Sequence, residues 1–181
     1  MPPSGKSEEA KMGQMKRKPT IAVFNSPFEL GLRMVYLLKA LAPRGGDLQK
    51  LVLLDYAIVY SADLNGPSSL HTPVPFRGAE LLSRRELIEQ GLYLMSTRGL
   101  VTADWDANGI TYFAGDVART MTSSLMSKYL RQLEARCHWA AEKFGQADSI
   151  ELTAQFAASG HLWGAELETV SNTGGTLWQS R

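Results

Sequence analysis

Apolar and polar positions follow a helical period over most of this chain. From Leu30 the apolar residues Leu30, Met34, Leu37, Leu38 and Leu41 recur at spacings that put them on one helix face. The start of that helix carries several agreeing signals. Ser26 can cap it, Pro27 suits the first helical position, and Glu29 completes a capping box. Pro43 and Gly45-Gly46 end it. Asp47 predicts the cap of a second helix, in which Leu51, Leu54, Ile58, Val52 and Val59 cover most of the circumference. A helix that apolar belongs at the centre of a core. Asp55 falls inside the same run, where a charge needs a partner or water. Residues Ala62 to Phe76 contain Gly66, Pro67, Pro73 and Pro75 and predict an irregular loop, long enough to be functional. A third helical region follows. It has a possible break at Ser83, which would form a second capping box with Glu86, and an apolar face of Leu87, Ile88, Leu92 and Met95. It ends near Arg98-Gly99.

The period then changes. Leu100–Trp105 and Ile110–Phe113 are two β-prone runs on either side of Asp106-Ala107-Asn108-Gly109, the pattern of a hairpin around an Asn-Gly turn. Asp116–Phe144 predicts one long helix anchored by Met121, Leu125, Leu130, Leu133 and Ala140, with Gly145 as its stop. Ser149–Val170 is moderately helical and is weakened by Gly160 and Gly164. Ile21–Phe24 predicts a short edge strand.

Three helices followed by a hairpin is the order of a winged helix-turn-helix. The expected fold class is therefore mainly α with a small β-hairpin: a winged helix-turn-helix-like domain with a C-terminal helical extension. The expected organisation is a disordered basic tail over 1–19, a winged-helix-like core over 20–115, C-terminal helices packing on it over 116–170, and a frayed tail over 171–181.

Composition narrows the setting. Length and an apolar fraction of 44% suffice for a self-supporting core. The single cysteine, Cys137, cannot close an internal disulfide, and no apolar stretch is long enough to span a membrane. The expectation is a cytoplasmic protein. Residues 1–20 carry five basic and two acidic side chains, a surplus of +3, which leaves −2 for the rest of a chain of net charge +1. A slightly acidic body has no overall electrostatic drive onto DNA.

Catalytic patterns are not found. His71, His138 and His161 lack metal-pair spacing, and Cys137-His138 are adjacent, so a helix points them to different faces. Gly45-Gly46-Asp47 lacks the features of a phosphate loop. Asp55 has no second acid or histidine beside it and reads as a structural carboxylate. The reading is a non-enzyme without cofactor or metal. Arg84, Arg85, Gln90 and Arg98 alternate with Glu86 and Glu89, which favours a salt-bridged face over a DNA-reading one. The weak nucleic-acid candidates are Lys16, Arg17 and Lys18 in the tail and the Lys128/Arg131 pair. For partner binding the candidates are Leu70, His71 and Pro73 in the proline-rich loop, Arg84 and Arg85, and Trp163. A docked loop stiffened by proline loses little entropy, and an exposed tryptophan is a typical anchor. Core packing is the competing reading for Trp163.

Several motifs together resemble a known family. They are Phe24-Asn25-Ser26-Pro27-Phe28-Glu29-Leu30-Gly31-Leu32-Arg33, Leu51-Val52-Leu53-Leu54-Asp55-Tyr56, and the loop Pro67-Ser68-Ser69-Leu70-His71-Thr72-Pro73-Val74-Pro75. Arg84-Arg85-Glu86-Leu87-Ile88-Glu89-Gln90-Gly91-Leu92, Arg98-Gly99-Leu100-Val101 and Gly109-Ile110-Thr111-Tyr112 follow in order. Together they look like the middle component of bacterial ABC-three-component conflict systems, a group that includes the LmuC-type subunit of Lamassu anti-phage defence. The resemblance spans roughly Phe24 to Leu167. It implies a non-enzymatic winged-helix adaptor joining an SMC/Rad50-like coiled-coil ATPase to an effector, often a nuclease, with DNA met only through the complex. The alternative is a winged-helix transcription regulator that binds operator DNA as a dimer.

Overall fold

A computed structural model describes residues 26–72, 77–125 and 127–158. The edge strand expected at Ile21–Phe24 lies outside the described residues, as do the basic tail, Pro73, and the segment containing His161 and Trp163.

Helix α1 (Pro27–Leu41) starts as its sequence predicts. Glu29 N donates to Ser26 Oγ at 3.2 Å while Ser26 N donates to Glu29 Oε2 at 3.1 Å, and Pro27 stands in the first turn. Helix α2 (Leu48–Val59) is capped by Asp47, whose Oδ1 accepts from Lys50 N at 2.8 Å. Every one of its residues except Gln49 is buried, in keeping with its near-continuous apolar surface. A 3-10 turn (Ser61–Leu64) then opens the loop, and helix α3 (Arg77–Ser96) follows it. The break expected at Ser83 is not present: Ser83 lies inside α3, so the second capping box does not form. A Ser-x-x-Glu motif needs a chain entering from extended backbone, and here the helix already runs from Arg77.

Strands β1 (Val101–Asp106) and β2 (Gly109–Ala114) pair antiparallel, with Asp106 opposite Gly109. The hairpin loop is thus Ala107-Asn108. Gly109, just after it, takes φ +121°, and Asp106 Oδ1 accepts from Asn108 N at 2.8 Å. Gly46 exchanges two backbone hydrogen bonds with Tyr112, at 3.0 and 2.9 Å, so the chain entering α2 borders β2 as a third extended segment.

The single helix expected over Asp116–Phe144 is two, α4 (Ala118–Ser124) and α5 (Lys128–Phe144). Three consecutive hydroxyl residues explain the interruption. Thr122 Oγ1 bonds back to the Ala118 carbonyl at 2.9 Å, and Ser123 and Ser124 both bond the Thr120 carbonyl at 2.9 Å. Such side chains compete with the helix's own ladder. Leu125 turns extended, and Ser127 caps the new start by accepting from Leu130 N at 3.1 Å. Helix α6 (Ser149–Ala158) opens on a reciprocal cap between Asp148 and Glu151 at 2.8 and 3.2 Å.

The core gathers α1, α2, α3 and α5, with Tyr112 and Val101 of the hairpin below and Phe156 of α6 edge-on to Phe144 at 5.3 Å. Helices α1 and α3 cross where two glycines meet. A Cβ on Gly31 would come within 2.7 Å of the Gly91 carbonyl oxygen, and one on Gly91 within 2.5 Å of the Pro27 carbonyl oxygen. The fold is mainly helical with one two-stranded hairpin. Its element order is compatible with a winged-helix-like domain extended by C-terminal helices.

Candidate partner-binding site

Three charged residues meet at the centre of the helical layer, one from each of α1, α2 and α3. Arg33 Nε lies 2.9 Å from Asp55 Oδ1 and Arg84 Nη1 lies 3.1 Å from Asp55 Oδ2; Arg33 is 3% exposed and Asp55 fully buried. The Arg33 contact is ionic rather than a directed hydrogen bond, since neither Arg33 Nε nor Asp55 Oδ1 has a hydrogen-bonding partner. Arg84 also stands over the Tyr60 ring at 5.5 Å. Asp55 is thus the paired structural carboxylate its sequence position called for. Arg84, expected on a contact surface, is instead in the core, drawn there by the need of Asp55 for a counter-charge. Arg85 is half-buried and donates to Gln49 Oε1 at 3.0 Å.

Between the first turns of α1 and α5 the surface opens into a cleft of about 190 Å³, lined by Glu29, Leu32, Arg33, Tyr129, Leu130 and Leu133. The proline-rich loop reaches its rim: His71 stands 3.4 Å from the Tyr129 hydroxyl and stacks on that ring. Burial pushes the Tyr129 hydroxyl above its ordinary pKa. The described part of the loop is held along its length. Leu70 N and His71 N donate to the Val59 carbonyl at 3.0 and 3.3 Å, Ser61 Oγ donates to the Pro67 carbonyl at 2.9 Å, and Arg136 donates to the Ser68 carbonyl at 2.9 and 2.7 Å. Leu70 is partly buried against the core, and His71 is partly buried as well. Of the expected contact residues the structure therefore brings His71 to the rim of the cleft through Tyr129, packs Leu70 against the core, and places the two arginines elsewhere.

Arg33, Tyr129 and Leu130 were missed in the sequence reading. One signal was available for Arg33. It sits among Leu30, Met34 and Leu37 on the apolar stripe of α1, a position for a charge only if a partner such as Asp55 faces it.

The chemistry of Cys137 is closed off. Burial raises its thiol far above the ordinary range, which keeps it protonated and unreactive. His138 is exposed, and among the described residues no group of three or more His, Cys, Asp or Glu side chains could hold a metal ion. On the outward face of α3 stand Ser83, Glu86 and Tyr93, and Thr97 is exposed just past its end. Gln90 donates to Glu86 at 3.2 Å, and Arg98 folds back onto the Leu94 carbonyl at 2.9 Å. Lys128 and Arg131 are exposed on α5. No helix of the described residues is long and apolar enough to cross a membrane.

The family model of ABC-three component (ABC-3C) system Middle Component 2 matches residues 23–166. The chain belongs to this family. The match takes in α1 through α6, including both walls of the cleft and the loop at its rim. No curated protein and no solved structure matches the chain. As a Middle Component 2 protein it is one part of a multi-component system.

Proposed function

We propose that this Middle Component 2 chain is a non-enzymatic adaptor that joins an SMC/Rad50-like coiled-coil ATPase to an effector, a nuclease in the Lamassu-type version, within a bacterial anti-phage defence complex in the cytoplasm. Family membership carries the reading, since a middle component acts through its companions. The geometry adds a place for the contact. The Ser68–His71 loop is fixed by hydrogen bonds to α2 and α5, so docking on it costs little ordering entropy.

The DNA-binding regulator is the weaker reading. An exposed reading face needs Arg, Lys, Asn or Gln aimed outward. Of the four such residues on and just after α3, Arg84 is buried, Arg85 is half-buried, Gln90 is tied to Glu86 and Arg98 folds back onto the last turn of α3. The hairpin that would act as the wing carries Asp104 and Asp106 and no basic residue. Co-purification with the products of the neighbouring genes tests the proposal. The wild-type chain should be retained with them, and His71→Ala should weaken retention while leaving thermal melting unchanged. Tight, sequence-specific binding of operator DNA by the isolated chain would favour the regulator instead.

A further inference from the structure

Residues 64–71 run along α5 in the opposite sense to the helix and meet it at three levels. Lys143 Nζ donates to the Leu64 carbonyl, and at the other end His71 stacks on Tyr129. Between them Arg136 makes three hydrogen bonds to Ser68. Its Nε and Nη2 donate to the Ser68 carbonyl at 2.9 and 2.7 Å, and Nη2 also reaches Ser68 Oγ at 3.0 Å. Tyr129, Arg136 and Lys143 are spaced seven apart in the sequence. Seven residues are close to two helical turns, so the three fall nearly in line at intervals of about 10.5 Å. The loop meets this row in reverse order, at 71, 68 and 64.

Packing fits the same arrangement. A Cβ on Gly66 would come within 2.2 Å of the Trp139 ring, so the backbone there lies directly on the indole, with Lys143 Nζ 5.3 Å from the ring centroid. The two ends of the segment have other supports. Leu64 is buried in the core, and the amides of Leu70 and His71 donate to the Val59 carbonyl. Ser68, in the middle, is exposed, and a guanidinium fork closing on its carbonyl fixes position and direction together. Arg136 itself is not among the buried residues, so it can be changed without opening the core.

We propose that Arg136 is a positioning residue for docking: by tying Ser68 to the middle of α5 it holds residues 64–71 in the conformation that a companion component binds. A segment already ordered loses less entropy when it docks, and that saving appears as affinity. The proposal rests on the adaptor reading and deepens it, naming the residue that sets the docking loop.

Three variants test it: Arg136→Ala, Arg136→Lys and Gly66→Ala. The last pushes the loop off Trp139 without touching Arg136. Hydrogen exchange at the Gly66, Leu70 and His71 amides, which donate to the Ser61 and Val59 carbonyls, reads the order of the loop. Biolayer interferometry against the purified ATPase and effector reads docking, and thermal melting reads the fold. Arg136→Ala should exchange at least about tenfold faster at these amides, bind at least about fivefold more weakly and melt as the wild type does. Arg136→Lys, which keeps the charge and a donor but not the fork, should fall between. Gly66→Ala should shift exchange and affinity in the same direction as Arg136→Ala. Unchanged exchange in Arg136→Ala overturns the proposal, because the loop is then held by other contacts. Faster exchange with unchanged affinity overturns it too, while the adaptor reading stands. If Gly66→Ala loosens the loop yet binds as the wild type, Arg136 touches the partner directly and the positioning role is wrong. Should Arg136→Ala melt early, Arg136→Lys against the wild type makes the same comparison. If the wild-type chain binds neither component, the adaptor reading falls and the docking role of the loop with it.

Discussion

Asp55 is the residue on which the helical layer turns. It faces two guanidiniums with no exposed surface of its own, so removing it takes the buried carboxylate away from both Arg33 and Arg84. Asp55→Ala should destabilise the protein by about 3–5 kcal/mol, seen as a lowered denaturant midpoint. A loss below about 1 kcal/mol would mean that water reaches the cluster. Cys137 behaves differently. Burial raises its thiol, so deprotonation opposes the fold: its contribution is intact below the ordinary thiol value of 9.0 and declines as pH rises past it. The native protein should resist thiol alkylation at pH 8.5 and label fully once denatured, measured by mass spectrometry. Rapid labelling of the folded chain would contradict that burial. At this scale the sequence was partly legible. A carboxylate inside the apolar run of α2 required a partner; the place of Arg33 on the apolar stripe of α1 was a signal for one, whereas nothing in the spacing pointed to Arg84 on α3.

Among elements, α1 and α3 cross closely at two glycines. Alanine in place of Gly91 gains about 1 kcal/mol of helix propensity, yet its Cβ would lie 2.5 Å from the Pro27 carbonyl oxygen. That neighbour is backbone and cannot swing aside, so the clash outweighs the propensity. Gly91→Ala should cost about 1–3 kcal/mol by thermal or chemical unfolding, and a stabilised variant would show that the two helices can separate freely. Cap chemistry made α1 and α2 readable, since Ser26-Pro27-x-Glu29 and Asp47 each bond the first-turn groups that their spacing implies. The same logic misled at Ser83, where the motif is present but the backbone is already helical. It also passed over Ser127, because the apolar period of Met121, Leu125, Leu130 and Leu133 runs across the gap, while the hydroxyls of Thr122, Ser123 and Ser124 end α4 through their own backbone bonds.

For the molecule as a whole, the two β-prone runs around Asn108-Gly109 and the three preceding helices were enough to define the mainly helical fold with its hairpin. The cleft was not legible, since it forms between residues about a hundred positions apart: Glu29 and Arg33 on one wall, Tyr129 and Leu133 on the other. Periodicity identifies which side of a helix is buried, not which two helix starts will stand side by side. Among the described residues the outward face of α3 and the hairpin show no cationic stripe, and the Ser68–His71 segment is held by hydrogen bonds, which supports the proposal that the chain meets proteins before it meets DNA. The central claim is that the chain bridges two other components. Its most direct test is size-exclusion chromatography with light scattering on the purified ATPase and effector, with and without this protein. A three-part complex is expected when the chain is present and two separate species when it is left out. ATPase and effector eluting together in its absence would contradict it.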